Sequence, residues 1–436
     1  MRILSNQVAK HTGKDITMQG WLHKKRLLGG LTFINLRDRT GVTQVVVEDK
    51  DQVEKLRGLQ IGTVLEITGQ AVKEERAPGG AELHDPKITV LVPVTDEPPI
   101  EIDKALSHKS EHLETLFDNR VIGLRNLQEK AVFDIQATIS SALRQYFDDH
   151  EFTEIHTPKL LAEPTEGGAE VFSLDYFGKT ATLAQSPQFY KQMMVGVFER
   201  VYEIAPVYRA EPSATTRHMT EYISVDAEMG FVTLEDLEEF LSDLLNSVVD
   251  AVWQKHDTEL KRWNATQPKL PAKIPVMPMA EIHEMYSKAT GENSIGEKDL
   301  RPDEERWICE YAKKNLDSEA VFVSEWPADE MKFYHKVNDK DAKIADRVDL
   351  LFRGVEIVTC SMRENNYQKV VAQLKALAGG DPNDPGFQPI LNAMKYGMPV
   401  HGGFGMGLER VTQKILGFNN VKEATLFPRD INRLTP

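Results

Sequence analysis

The sequence has only two cysteines in 436 residues, and neither lies in a CxxC pair or a Cys/His cluster. A disulfide framework or a structural zinc site is therefore not supported, and a reducing cytoplasm is the expected location. No apolar run approaches the ~18 residues of a membrane span, and the first residues lack the apolar segment of a signal peptide. We therefore expect no membrane association and no secretion.

Acidic residues outnumber basic ones, and the formal net charge is −15. This excess of negative charge argues against a general nucleic-acid coat. The charge is distributed unevenly, since residues 1–50 hold nine Lys or Arg against four Asp or Glu. A local contact with a polyanion therefore remains open. The alternative is a chance excess of charge on a small domain.

The length indicates two or three domains, since single cores rarely exceed ~250–300 residues. Short strands with turn signals, such as LTFINLRD and GVTQVVVED, predict a Greek-key barrel of the OB type over 1–104. The acidic, proline-bearing VTDEPPIEID predicts a linker that ends near residue 105, and a linker or hinge is expected over 105–125. A second domain, 126–436, is expected to open with a helix over 126–149 and to contain a peripheral mixed segment over 262–345.

The barrel segment offers a candidate surface for nucleic-acid bases. Alternation in LTFINLRD places Ile34 and Leu36 on one face and Phe33 among polar side chains on the other. An exposed aromatic ring can stack on a base, and Gln44 on the next strand can bond a base edge. Partial burial of both residues is an equally good interpretation.

The stretch from Val201 to Met229 predicts a long hairpin with one functional face. In EYISVDAEM, the polar positions Tyr222, Ser224, Asp226 and Glu228 alternate with apolar residues. Two arginines, Arg209 and Arg217, lie in or beside the polar connection. Arginines suit phosphates and acids suit metal ions, although an ordinary amphipathic hairpin would show the same period.

DLLFRGVEIVTCSMR predicts two strands joined by a turn at Arg353 and Gly354. Leu351 would then lie opposite Glu356, and Asp349 would share that face. Two converging carboxylates suit Mg²⁺, which proteins hold by one or two carboxylates together with substrate phosphates. Two solvated carboxylates are the alternative.

Three further segments carry polar groups that could bind charged groups of a ligand. In HGGFGMGLERV, glycines precede a helix whose first turn holds Arg410, and such an arginine can lie over a base or against a phosphate. QSPQFYKQ brings amide, hydroxyl and ammonium donors together, and Lys191 can bind a carboxylate. TEGGAEVF has the composition of a mobile lid, in which Glu170 can face an ammonium group.

Taken in order, these segments resemble the three signature motifs of class II aminoacyl-tRNA synthetases. FTEIHTP resembles the dimer-interface motif, the segment from YRAE to AEM the second motif, and GFGMGLER the third. The resemblance extends from the barrel to the final FPRDINRLTP. It implies an α+β fold, in which an N-terminal OB-type β-barrel precedes a class II antiparallel sheet domain flanked by helices.

Within the class, the chain resembles the aspartate, asparagine and lysine branch, whose N-terminal OB domain binds the anticodon. Lys191 and Asp226 match positions that are typical of aspartyl enzymes. The residues SMREN around Arg363 are more similar to asparaginyl enzymes. The compact chain resembles the archaeal type of aspartyl enzyme. The resemblance thus implies aspartate, and leaves an asparaginyl enzyme or a non-catalytic RNA-binding paralogue as alternatives.

The implied reaction is a two-step ligation, in which aspartate and ATP give aspartyl-adenylate and the acyl group then passes to tRNA. Arg209 and Arg410 are implied as catalytic. The implied ATP-binding residues are Arg209, Glu211, Arg217, His218, Met219, Tyr222, Glu356, Gly407 and Arg410. The implied aspartate-binding residues are Glu166, Glu170, Ser186, Gln188, Lys191, Asp226, Thr359, Arg363, His401 and Gly402. The implied ligands of Mg²⁺ are Glu228, Asp349 and Glu356.

The resemblance also implies macromolecular partners. Pro158 is implied at a homodimer interface, and the implied anticodon contacts are His23, Arg26, Phe33, Gln44 and Pro78. His23 and Pro78 stand where discriminating archaeal-type enzymes tend to carry tryptophan and lysine. The absence of that tryptophan and that lysine would relax the choice between C and U at the third anticodon base, so that tRNA(Asp) and tRNA(Asn) are both charged. Neutral drift at the two positions is the alternative. A downstream amidotransferase would then be a further partner.

Overall fold

The computed structural model describes residues 2–28, 31–164 and 170–435. Glu166, one of the residues implied to bind aspartate, lies outside the described residues. The chain divides into two compact units, Met1–Lys130 and Ala131–Pro436. The domain limits drawn from the sequence remain predictions. No helix in the described part of the chain is long and apolar enough to cross a membrane.

The first unit contains a closed five-stranded barrel, as the sequence predicts. Its elements are a 3-10 turn (Ser5–His11), β1 (Asp15–Leu28), β2 (Leu31–Asp38), β3 (Gly41–Val47), α1 (Lys50–Arg57), β4 (Val64–Lys73), a 3-10 turn (Pro78–Gly80) and β5 (Ala81–Val92). The strand order is β1-β2-β3-β5-β4. Ile34 and Leu36 are buried in the barrel core as predicted, because alternate strand residues face inward. Arg37, expected on the polar face, is buried, and its Cζ lies 4.9 Å from the ring centroid of Trp21.

Residues 105–125, predicted as a linker, are folded. They contain α2 (Ser110–Asp118) and α3 (Arg120–Gly123). Ile100, Leu113, Leu116 and Phe117 form a small apolar cluster around them. The buried guanidinium of Arg120 lies 3.2 Å from a carboxylate oxygen of Glu129, whose other oxygen bonds His108 at 2.6 Å. The sequence of this segment did not reveal the packing, because the packing depends on contacts with residues outside it, such as Ile100 and Glu129.

The remaining helices and strands follow in chain order. They are α4 (Leu127–Asp149), β6 (Thr153–Glu154), β7 (Leu160–Leu161), β8 (Ser173–Tyr176), β9 (Lys179–Leu183), α5 (Gln188–Phe198), β10 (Arg200–Tyr208), β11 (Glu221–Gly230), α6 (Leu234–Lys255), α7 (Asp257–Arg262), β12 (Val276–Pro278), α8 (Met279–Thr290), α9 (Pro302–Asn315), β13 (Ala320–Ser324), β14 (Trp326–Pro327), a 3-10 turn (Ala328–Glu330), β15 (Ile344–Ala345), β16 (Arg347–Phe352), β17 (Val355–Met362), α10 (Tyr367–Leu377), α11 (Gln388–Lys395), β18 (His401–Gly407), α12 (Leu408–Leu416) and a 3-10 turn (Val421–Ala424).

The second unit is built on a largely antiparallel sheet of eight strands. Its order is β12-β13-β16-β17-β18-β11-β10-β6, and the two outermost pairs are parallel. The strand β6 forms one edge of this sheet. One face of the sheet packs on α4 and α6 through residues such as Phe147, Leu241 and Val225. The other face is therefore available to build a site.

The segment predicted as peripheral, 262–345, contributes to the main sheet. Its strands β12 and β13 extend the sheet beyond β16, while α8 and α9 pack beside them through a second apolar cluster. The mixed structure expected from the composition is observed. The composition does not show that these strands join the sheet, because strand pairing joins residues far apart in sequence.

The capping box of α6 gives a direct test of local stability. The hydroxyl of Thr233 accepts from the backbone N–H of Asp236 at 3.2 Å, and the Asp236 carboxylate accepts from the N–H of Thr233 at 2.7 Å. We expect Thr233→Ala to lower the free energy of unfolding by about 1 kcal/mol, because the helix loses its N-terminal cap. Denaturant unfolding followed by circular dichroism measures the change. Thr233→Ser retains the hydroxyl and is the matched control; an equal loss in both variants would contradict this role.

Candidate active site

A cavity of about 340 Å³ opens on the face of the main sheet that the helices α4 and α6 leave uncovered. The polar residues of β11 project into it, and Tyr222, Ser224 and Asp226 line its wall. Val225 and Ala227 point the other way into the core. The alternation that the sequence predicts for this strand is thereby confirmed. The hairpin pairs β10 with β11 in a regular antiparallel register.

Arginines gather at one end of the cavity. Arg209, Arg217 and Arg410 all line it, and Arg410 donates to the backbone oxygen of Glu356 at 2.8 Å. Burial and the charges of Arg410, Arg217 and Arg209 lower the pKa of His218 below its usual value. The imidazole is therefore neutral near pH 7, and its depressed pKa reports a positive local potential. Such a potential suits the phosphates of a nucleotide.

The carboxylates of Asp349 and Glu356 come together as predicted. Arg353 and Gly354 form the turn with φ of 47° and 82°, and Leu351 pairs with Glu356 across the hairpin of β16 and β17. Burial and the charge of Glu356 raise the pKa of Asp349 to about 7. This repulsion is one that a divalent cation would relieve, so the oxygen donors fit Mg²⁺.

Each carboxylate of this pair also has a protein partner. Arg347 bonds Asp349 through two contacts of 3.0 and 2.6 Å. The hydroxyl of Thr359 donates to Glu356 at 2.6 Å. These bonds hold both side chains in fixed orientations. Carboxylates that are themselves hydrogen-bonded in this way are suited to hold a metal ion.

Glu228 does not join Asp349 and Glu356 in a three-carboxylate group, and its implied role as a metal ligand stays a prediction. In the described part of the chain, no three His, Cys, Asp or Glu residues are grouped so as to hold a metal ion. Glu228 is fully buried and bonds the guanidinium of Arg363 at 2.7 and 3.2 Å. Gly403 makes this possible, because a Cβ at that position would collide with the Glu228 carboxylate. Alternation placed Glu228 on the polar face but did not show this burial.

Lysine and arginine donors form the other end of the cavity. The ammonium of Lys191 donates to Asp226 and to the backbone oxygen of Phe404, both at 2.9 Å, and the side chain is 2 % exposed. Ser224 donates to the other carboxylate oxygen of Asp226 at 2.5 Å. Arg363 makes four hydrogen bonds, to Glu228, Ser361 and Gly403. One of its five N–H groups therefore remains for a ligand.

Most residues implied by the resemblance line this cavity. They are Ser186, Gln188, Lys191, Arg209, Glu211, Arg217, His218, Met219, Tyr222, Asp226, Glu356, Thr359, Arg363, Gly407 and Arg410. Asp349, Glu228, Glu170, His401 and Gly402 do not line it. The backbone oxygen of Glu170 accepts from Ala210 at 2.7 Å, and the buried ring of His401 bonds the backbone oxygen of Pro399 at 2.9 Å.

Other lining residues were missed at the sequence level. They are Glu330, Lys332, Tyr334, His335, Arg347, Ile357, Gly405, Met406, Glu409 and Val421, whereas Ser224 was already placed on this face by the strand alternation. Arg347 lies two residues before Asp349, so the strand period could have found it. Glu409 accepts from the N–H of Ile223 at 3.1 Å, and burial raises its pKa to about 7. The residues from 330 to 335 lie outside any periodic pattern and gave no signal.

The candidate base-reading residues lie on the barrel. Arg26 pairs with Phe33 across β1 and β2, and both side chains are at least partly exposed. Gln44 donates to Glu82 at 2.6 Å, which fixes the orientation of its amide. His23 is buried where the register of β1 and β2 shifts, while Pro78 is exposed in the 3-10 turn before β5.

Two family models match the chain. One describes "tRNA synthetases class II (D, K and N)" and covers residues 112–431, and the other describes an "OB-fold nucleic acid binding domain" and covers residues 16–91. The chain therefore belongs to the class II aminoacyl-tRNA synthetases of the aspartate, lysine and asparagine group. Enzymes of this class use ATP as a substrate, and the OB domain accounts for tRNA binding.

Individual proteins are similar over the whole length. The aspartate–tRNA(Asp/Asn) ligase of Thermus thermophilus is 40% identical over 440 residues, covering 100% of both chains. The enzyme of the same name from Deinococcus radiodurans is 39% identical and covers 100% of this chain and 99% of its own. Among solved structures, asparaginyl-tRNA synthetase from Pyrococcus horikoshii complexed with asparaginyl-adenylate matches with a TM-score of 0.92 and 29% identity, with 100% of both chains covered.

Replacing Glu228 separates a structural role from a metal-binding one. We expect Glu228→Gln to lower the free energy of unfolding by about 3–5 kcal/mol, because Arg363 and Lys191 lose their buried counter-charge. Unfolding free energies at pH 7 and with increasing acidity measure this. A shifted Mg²⁺ requirement at unchanged stability would instead restore the metal role.

The stability difference between wild type and Glu228→Gln should depend on pH through the pKa of Glu228. Burial by itself raises that pKa, but the charges of Arg363 and Lys191 lower it below the usual value. The stabilisation is therefore fully present above the unfolded-state pKa and is lost as pH falls through the folded-state pKa. The difference in the free energy of unfolding between wild type and Glu228→Gln should therefore become smaller as the pH falls.

Proposed function

We propose that the protein ligates L-aspartate to tRNA through an aspartyl-adenylate and charges both tRNA(Asp) and tRNA(Asn). The observation that carries the proposal is one cavity with two chemically different ends. Arg209 and Arg410 lie at the first end, which suits the phosphates of ATP. Lys191 and Arg363 present donors at the second end, which suits the carboxylate of an amino-acid side chain.

The choice of aspartate over asparagine rests on hydrogen-bond polarity. Lysine and arginine have donors and no acceptor, so a carboxylate can bond both while an amide would turn its NH₂ group against one of them. The two oxygens of Asp226 accept from Lys191 and Ser224, and these bonds hold the carboxylate in place beside the donors. The Nε2 of Gln188, which also lines the cavity, is buried without a partner among the described residues and is a further donor.

In the first step, a carboxylate oxygen of aspartate attacks the α-phosphorus of ATP, and pyrophosphate leaves. Arg209 holds the α-phosphate, Arg217 and Arg410 the distal phosphates, and Tyr222 contacts adenine. Asp349 and Glu356 would hold Mg²⁺, which would supply charge neutralisation for the phosphates. Positioning and charge stabilisation supply most of the rate, with little acid or base chemistry by the protein.

In the second step, a hydroxyl of the terminal tRNA ribose attacks the adenylate carbonyl, and AMP leaves. The barrel selects the tRNA, and Phe33, Gln44 and Arg26 are the proposed anticodon contacts. His23 and Pro78 supply neither a large ring nor a cation, which supports acceptance of the tRNA(Asn) anticodon. The Thermus and Deinococcus relatives carry both tRNAs in their names.

Further partners follow from this activity. Aspartyl-tRNA(Asn) must be amidated before use, so an amidotransferase is a proposed downstream partner. A homodimer is proposed through the segment around Pro158, which is exposed between β6 and β7. A cytoplasmic location stays a prediction from the two cysteines, both of which are buried and unpaired with each other.

Pyrophosphate exchange tests the amino acid. We expect exchange into ATP to require aspartate and Mg²⁺ and to be negligible with asparagine, because the second end of the cavity presents donors to the side chain. The measurement compares both amino acids on one enzyme preparation. Exchange driven by asparagine alone would identify an asparaginyl enzyme, and tRNA binding without any exchange would identify a non-catalytic paralogue.

Aminoacylation of purified tRNAs tests the second part of the proposal. We expect aspartate to be attached to both tRNA(Asp) and tRNA(Asn). Introducing His23→Trp and Pro78→Lys together should depress charging of tRNA(Asn) by about 10-fold relative to tRNA(Asp), as expected for one lost base preference. Phe33→Ala, which removes the proposed stacking on a base, should weaken the binding of both tRNAs to the same extent. Charging of tRNA(Asp) alone by the wild type would refute the relaxed choice.

A further inference from the structure

The helix α9 delivers an acidic side chain to the edge of the cavity. Glu304, Ile308 and Ala312 face the interior, and Glu305 is also buried, with 8 % exposure. The segment that contains α9 showed no catalytic motif in the sequence. A buried carboxylate requires a partner, because loss of hydration is costly for an isolated charge. The partners of Glu305 are therefore informative.

The Oε2 atom of Glu305 joins two parts of the cavity wall. It accepts a hydrogen bond from Nη2 of Arg217 in the connection between β10 and β11. It also accepts from the backbone N–H of Glu356 on β17 at 3.3 Å. A single oxygen thereby links a phosphate-facing arginine to the strand that carries the carboxylate pair.

The guanidinium of Arg217 keeps unused donors. Its Nε is buried and has no hydrogen-bond partner among the described residues, although the side chain lines the cavity. A guanidinium is a planar fork, so a carboxylate that bonds Nη2 fixes the plane and with it the direction of the remaining N–H groups. A long side chain on a strand connection would otherwise lose this orientation to rotamer freedom.

We propose that Glu305 is a positioning residue, which holds the Arg217 guanidinium ready for the distal phosphates of ATP. This inference rests on the proposed function, since it assigns a second residue to the same nucleotide end. Glu305 does not touch the substrate and acts through Arg217. The opposite possibility is a latch, in which Glu305 competes with the phosphates for Arg217, and it predicts the opposite change in ATP affinity.

The experiment is pyrophosphate exchange with Glu305→Gln. We expect KM for ATP to rise by about 10-fold, the effect of losing one charge-assisted contact that orients a ligand group. KM for aspartate should stay within about two-fold, because Lys191 and Arg363 are unchanged. The matched control is Glu310→Gln on the same helix, whose exposed carboxylate lies 4.0 Å from Lys314. It should leave both KM values unchanged.

A double-mutant cycle with Arg217→Ala identifies the route of the effect. Glu305→Gln should add nothing to Arg217→Ala, since both remove the same oriented contact. Additive effects, an unchanged KM for ATP or a lowered KM for ATP would each overturn the proposal. If Glu305→Gln does not fold, Glu305→Asp keeps the charge and shortens the reach, and an unchanged KM for ATP in that variant would overturn it too.

The proposal can fail separately from the function on which it rests. Absence of aspartate-dependent exchange in the wild type would remove the proposed function. Normal wild-type exchange with an unaltered Glu305→Gln variant would remove only the role of Glu305.

Discussion

The buried charge network of Lys191, Asp226, Glu228 and Arg363 is the constraint on which the rest of the site depends. Two cations and two anions meet where α5, β11 and the end of β17 converge, and all four side chains are nearly inaccessible to solvent. Buried charges are tolerated only when paired and hydrogen-bonded, so the position of each element is fixed by the others. Gly403 belongs to the same constraint, because its missing side chain leaves space for the carboxylate of Glu228.

Because of this network, the two ends of the cavity differ in electrostatic potential. Its four formal charges sum to zero, so the amino-acid end presents donors without a large net potential. At the nucleotide end, three arginines depress the pKa of His218 together with burial, which indicates a positive potential. A polyanionic nucleotide is favoured at the positive end. A small amino acid instead meets directional hydrogen-bond donors at the other end.

Local patterns in the sequence were sufficient for the strand faces and for one turn. The period of two placed Tyr222 and Asp226 on the cavity side, and Arg353 and Gly354 marked the turn that brings Asp349 to Glu356. The same period could not show that Glu228 is fully buried, because it tells which face a residue occupies and not how deep the residue lies.

Contacts between distant segments could not be predicted in this way. Glu305 meets Arg217 across 88 residues of chain, and the residues from 330 to 335 enter the cavity without any helical or strand period. Their positions follow from how β13 joins β16 and how α9 packs beside them. Pairing of this kind leaves no local sequence signal, so composition alone described the whole segment as peripheral.

The two selections that the proposed reaction requires lie on different units of the chain. In the proposed reaction the donors of Lys191 and Arg363 on the second unit choose the amino acid, whereas the proposed anticodon contacts lie on the barrel of the first. Substitutions at distant side chains that share no partner have additive effects on free energy. A change at His23 or Pro78 can therefore widen the set of accepted tRNAs without altering which adenylate forms. Strict choice of amino acid and relaxed choice of tRNA are compatible in one chain for this physical reason.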